Sequence, residues 1–145
     1  MKTVPSLMFP SSLTSLKTAL HFCASKNNLD IARILLAQKA SARIRDKRGQ
    51  LPIHRAAAVG SVPMLKLLIG ANSPVNAADI AGSTALHHAI SEGHGDAALL
   101  LMKAGAETDK RDTDGKLPID LAPDNKIRDF ICQSAGREGI DVARE

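Results

Sequence analysis

An all-α solenoid of stacked helical units is the fold this sequence predicts, and three observations predict it. Leu20-His21 returns as Ile53-His54, Leu86-His87 and Ile119-Asp120, each 33 residues after the last. Gly49, Gly82 and Gly115 keep that spacing, and so do Asp46, Asp79 and Asp112. The aliphatic triplets Ile34-Leu35-Leu36, Leu67-Leu68-Ile69 and Leu100-Leu101-Met102 fall in the same register. A fixed period of this length marks a repeat architecture in which each copy buries its apolar face against the next.

Each copy reads as the same succession of elements. Asp at the first position and Gly at the fourth of D-K-R-G, D-I-A-G and D-T-D-G are the preferences of a type I turn. A short inner helix follows. Copies one and three open it with Thr18-Ala19 and Thr84-Ala85, where the hydroxyl can cap; copies two and four use Leu51-Pro52 and Leu117-Pro118, where proline pre-sets the first helical residue. Small residues (Cys23-Ala24, Ala56-Ala57, Ala89) let neighbouring inner helices approach. Asn27, Gly60 and Gly93, which tolerate positive φ, then stop them. The triplets belong to outer helices whose apolar faces are expected to fill the core. Pro63 is tolerated in the first turn after Ser61. Asp124-Asn125 opens a last helix, expected to end near Gln133.

The 33-residue period with a T-x-L-H-type core resembles the ankyrin repeat. The expected architecture is thus an all-α ankyrin-repeat solenoid of about three full repeats plus a C-terminal capping repeat. Its divisions are an irregular segment 1–16, an array 17–133 (repeats 17–49, 50–82, 83–115 and 116–133) and a flexible tail 134–145. Position 16 is Leu where the column asks for Gly, and no D-x-x-G turn precedes Thr18. The first repeat is therefore expected to lack an N-terminal neighbour. An uncovered end of that kind invites self-association, because solenoids need a polar cap for solubility.

Composition narrows the function. The chain has no Trp or Tyr and three Phe, so the interior is aliphatic and a binding surface must rely on anchors such as Arg. Two cysteines at opposite ends of the array suit a reducing compartment and cannot be bridged. Residues 1–16 make a poor signal peptide, and the protein is expected in cytoplasm and nucleus. The net charge of +4 is uneven. Residues 17–49 carry eight basic and two acidic side chains, whereas 83–115 carry three basic and six acidic. Such a gradient orients a partner of opposite gradient.

The histidines look like chemistry. His21, His54 and His87 share one column, however, and ligands a repeat apart cannot converge on a metal whose bonds are about 2 Å long. They read as structural, hydrogen-bonding adjacent turns, alongside Gly49, Gly82 and Gly115. No nucleophile motif or phosphate loop occurs, and no cofactor or small-molecule substrate is implied. The register leaves Phe22, Arg55 and His88, with Lys26 and Glu92 a turn later, on the concave binding face. The basic run 43–48, R-I-R-D-K-R, is a fingertip for an acidic protein surface or, less well without stacking aromatics, for nucleic acid.

Two stretches go beyond the repeat consensus. Residues 50–68, Q-L-P-I-H-R-A-A-A-V-G-S-V-P-M-L-K-L-L, and 92–98, E-G-H-G-D-A-A, resemble consecutive repeats of the gankyrin-like family in its fungal form. The likeness runs from about residue 17 to residue 133 and matches the C-terminal repeats of a longer array. Gankyrin-like proteins are assembly chaperones of the proteasome regulatory particle. The resemblance implies a non-enzymatic role in which the concave face clasps the C-terminal domain of one AAA ATPase subunit. Arg55 and the fingertips Arg45, Lys47, Arg48, Lys110 and Arg111 would then lie on or near the clasp. The L-x-C-x-E motif of animal members is absent, so a retinoblastoma-type partner is not implied. The alternatives are a general ankyrin adaptor, a regulatory subunit of an enzyme, or a nucleic-acid binder working through 43–48.

Overall fold

The computed structural model describes residues 19–144. The irregular segment 1–16, the Thr18 helix start and the self-association assigned to that end fall outside the described residues. Three helical pairs follow one another: α1 (Ala19–Lys26) with α2 (Leu29–Ala37), α3 (Pro52–Val59) with α4 (Val62–Gly70), and α5 (Ala85–Ser91) with α6 (Gly95–Lys103). A 3-10 helix over Pro118–Leu121 and α7 (Asn125–Arg137) complete the array. Inner helices α1, α3, α5 and the 3-10 helix pack in series, and α2, α4, α6 and α7 form the outer layer. Among the described residues there is no strand, and the fold is an all-α repeat solenoid.

The turns between copies are built identically. Gly49, Gly82 and Gly115 sit at φ 74°, 76° and 77°, and each donates its N–H to the carbonyl of the Asp three residues earlier at 2.9–3.0 Å. The Asp carboxylate then accepts from two further backbone N–H groups: Arg48 and Gln50 on Asp46, Ala81 and Ser83 on Asp79, Asp114 and Lys116 on Asp112. A short acceptor at the first position and a residue free to take positive φ at the fourth are what this geometry requires.

Helix starts use one device the sequence did not announce. Thr84 caps α5 through its hydroxyl, accepting from His87 N–H at 3.4 Å, and α3 begins on Pro52. In both copies the histidine also reaches back: His54 Nδ1 accepts from Leu51 N–H at 2.9 Å and His87 Nδ1 from Thr84 N–H at 3.1 Å. In the fourth copy Asp120 Oδ2 does the same for Leu117 N–H at 3.0 Å. The inner helix there shrinks to 3-10 form because Pro123 pushes Ala122 to ψ 127°.

Leu20, Ile53, Leu86 and Ile119 are at most 2 % exposed and form one continuous column of core between the layers. The triplets expected to fill that core divide. Leu68 and Leu101 are fully buried, but Ile34 is 53 % exposed and α2 buries only Ala32.

The C-terminal end differs from expectation as well. Helix α7 runs past Gln133 to Arg137, because Ala135 is fully buried and Gly136 continues the helix. The stop is Gly139 at φ 74°, with Ile140 N–H donating to Ala135 O at 2.9 Å in a Schellman arrangement. The segment assigned to a flexible tail lies along the third repeat. Thr108 Oγ1 donates to Asp141 O at 3.0 Å, Val142 is 9 % exposed, and Ile140 and Ala143 pack on the core.

Candidate partner-binding surface

Two sets of side chains face away from the core on the inner-helix side: one on the helices, one on the turns. On the helices, the position after each buried Leu-His or Ile-His pair carries Phe22, Arg55 and His88. Phe22 is 59 % exposed, with Lys26 Nζ 5.8 Å above its ring in a cation–π contact. Arg55 is half-buried, and its Nε donates to Ser25 Oγ of the preceding copy at 3.1 Å. Glu92 is exposed at the end of α5.

His88 belongs to a different arrangement. Its Nε2 donates to Asp79 Oδ2 at 3.0 Å, where Gln50 Nε2 also reaches at 3.4 Å. Burial pushes the Asp79 carboxyl up, yet the hydrogen bonds from His88, Ser83 N–H and Gln50 outweigh it and hold the group below its ordinary value. The carboxylate is thus the node that ties the second turn to α5 and to the turn before it.

Behind this row the column histidines bond to turn carbonyls, His21 and His87 into the next copy and His54 within its own. His21 Nε2 donates to Gln50 O at 2.6 Å, His54 Nε2 to Ala77 O at 2.8 Å and His87 Nε2 to Lys116 O at 3.1 Å. With Nδ1 of His54 and His87 accepting, both rings must be neutral Nε2–H tautomers. Burial lowers His54 from 6.5 to about 4, and it lowers His87 as well. Among the described residues no three His, Cys, Asp or Glu side chains gather to hold a metal.

The turns separate the candidate cations. Arg45 Nη1 donates to Gly49 O at 2.7 Å and to Ala78 O of the next copy at 2.8 Å, so its guanidinium staples two turns together. Arg111 Nη1 makes the matching bond to Gly115 O at 2.8 Å. Lys47 and Arg48 are exposed and outside any ion pair among the described residues, whereas Lys110 is half-buried. Sequence reasoning missed the staples, since the second acceptor of Arg45 lies 33 residues away. It also missed Ile80, which is 74 % exposed on the second turn.

A row of helices held from behind, with polar and apolar side chains displayed in front, offers a surface for a protein partner. The comparisons agree with the geometry. A family model described as ankyrin repeats, in three copies, matches residues 4–79 and 20–112, and the chain belongs to the ankyrin-repeat family. A stretch of 43 residues is 44 % identical to the "Probable 26S proteasome regulatory subunit p28" of Saccharomyces cerevisiae. That match spans 30 % of this chain and 19 % of the yeast protein. None of the helices is long and apolar enough to cross a membrane among the described residues.

Proposed function

We propose that this protein is an assembly chaperone of the proteasome regulatory particle, acting in cytoplasm and nucleus. It would clasp the C-terminal domain of one AAA ATPase subunit with the face that carries Phe22, Arg55 and Glu92. The observation that carries this reading is the 44 % identity over 43 residues to a yeast protein named as a proteasome regulatory subunit. Arg55 supports it from the chain itself. It sits mid-array, and among the described residues its bond to Ser25 leaves most of its five N–H donors for a partner carboxylate.

The test is titration of the chain with the isolated C-terminal domain of each proteasomal ATPase subunit, beside an Arg55→Glu variant. The reading predicts saturable binding to one subunit, lost in the variant. No binding to any subunit contradicts it. A second reading, an ankyrin adaptor for another protein, draws on the short reach of the match, and the same titration separates the two.

A further inference from the structure

The outer layer of helices carries a groove of its own. One recess, of about 510 Å³, lies between α2 and α4 over Leu36 and Leu67. The next, of about 340 Å³, lies between α4 and α6 over Ile69 and Leu100. All four side chains are half-buried, so each recess has an aliphatic floor that meets solvent. Lys66 and Gly70 of α4 line both recesses and join them. Every charged side chain on the lining is basic: Arg33, Lys66 and Lys103. Arg33 is bonded to Asp30 at 3.4 Å and Lys103 to Glu138 at 3.5 Å. Lys66, at the centre, is exposed and enters no ion pair among the described residues.

Gly70 is an independent observation at the same place. It is the last residue of α4 and is not among the glycines with positive φ. A Cβ built on it would meet nothing within 4 Å. The same column holds Ala37 before it and Lys103 after it. Neither backbone nor packing within the chain asks for glycine here, and glycine is a poor helix former. Such a glycine suits the close approach of another backbone. The floors also set a spacing. Neighbouring helix axes stand about 8–10 Å apart, close to the rise of about seven residues along a helix. The aliphatic groups lie at the bottom and the cations stand out, which suits side chains entering the groove better than a lipid surface laid across it. The sequence before Ala19 holds Lys2 and Lys17 and no acidic side chain, so it does not supply the complement.

We propose that the groove across α2, α4 and α6 is a second interaction surface, and that it takes an acidic amphipathic helix of a partner protein. Two aliphatic side chains of that helix, about seven residues apart, enter the two recesses. Its backbone lies against Gly70, and its carboxylates reach Lys66 and the neighbouring cations. The surface belongs to the outer layer, apart from the face assigned to the ATPase domain, and its test does not depend on that assignment.

The experiment is selection of a library of short random peptides against the full chain, with each selected peptide then titrated into Gly70→Gln, Lys66→Glu and Arg55→Glu. Gly70→Gln fills the junction of the recesses, and its urea midpoint should equal or exceed that of the parent, because the space is open and glutamine is the better helix former. Selected peptides should carry aliphatic residues about seven apart among acidic ones. Their affinity should fall about tenfold or more in Gly70→Gln and in Lys66→Glu, and hold in Arg55→Glu. No enrichment, or peptides that respond to Arg55→Glu and not to the two groove variants, would overturn the proposal. So would another occupant: phosphatidylserine vesicles that sediment the parent but not Lys66→Glu, or a concentration-dependent dimer that Gly70→Gln abolishes.

Discussion

The first and third repeats share a register yet treat the same positions differently. Helix α2 presents Ile31 and Ile34 at 44 % and 53 % exposure, whereas Ala97, in the column of Ile31, is fully buried in α6. Only Ala32 of α2 is buried; α6 buries Gly95, Ala97, Ala98, Leu101 and Met102 beneath α4 and α7. The ring of Phe130 from α7 lies so close over Gly95 that a Cβ there would meet it at 2.5 Å. Burial in this array is therefore supplied by the neighbouring copy rather than by the hydrophobicity of the residue itself. Among the described residues α6 is packed by α4 on one side and α7 on the other while α2 is packed by α4, and stability is expected to follow that difference.

That contrast can be tested by size of effect. Leu101→Ala removes a fully buried side chain and should cost about 2–5 kcal/mol, while Ile34→Ala should stay within about 0.5 kcal/mol. Equal shifts in urea midpoint would break the comparison.

Acid should act through the buried column histidines. His54 titrates at about 4 in the folded chain against 6.5 for the free side chain. Between those values the unfolded state holds a proton that the folded state lacks, so stability falls as pH drops through that window. One such group contributes roughly 3 kcal/mol over the window, at about 1.36 kcal/mol per pH unit, and His87 adds a term of the same sign. Urea midpoints from pH 7 to pH 4 should show this slope, and His54→Gln should flatten it.

Smaller effects sharpen the picture. Gly82→Ala places a Cβ at φ +76° and 2.8 Å from Thr113 N, whereas at Gly115 the space is open. Both substitutions should cost about 1–2 kcal/mol for the left-handed backbone, and Gly82→Ala should cost more of the two on thermal melting. Removing a helix cap costs about 1 kcal/mol. Asp124→Ala, at the start of α7, should register this in full, and Asn28→Ala, at the start of α2, should register less in the global transition.

How much of this could be read from residues alone follows the range of each interaction. The Asp46, Asp79 and Asp112 turns were readable because donor, acceptor and positive φ lie within five residues of one another. The second acceptor of Arg45, one copy away, was not. Gly136 and Gly139 are the same residue type, and only the burial of Ala135 and the bond from Ile140 decide which one stops α7. Ile34 matched its column and still lies exposed, since the column says what a copy offers and not what covers it. On the candidate surface the register's Phe22 and Glu92 are exposed and Arg55 is half-buried, whereas Arg45, expected as a fingertip near the clasp, has its guanidinium bonded to Gly49 O and Ala78 O. Ile80 could have been found by comparing it with Lys47 and Thr113.

Native-state hydrogen exchange on the full chain tests the central claim most directly, by comparing slow amides in α1 and α2 with those in α5 and α6. The account predicts that exchange in the first repeat opens through local events well below the global unfolding free energy, while α5 and α6 exchange only near it. Equal protection in the two repeats would contradict it, and would mean that a copy here holds its own core whatever lies beside it.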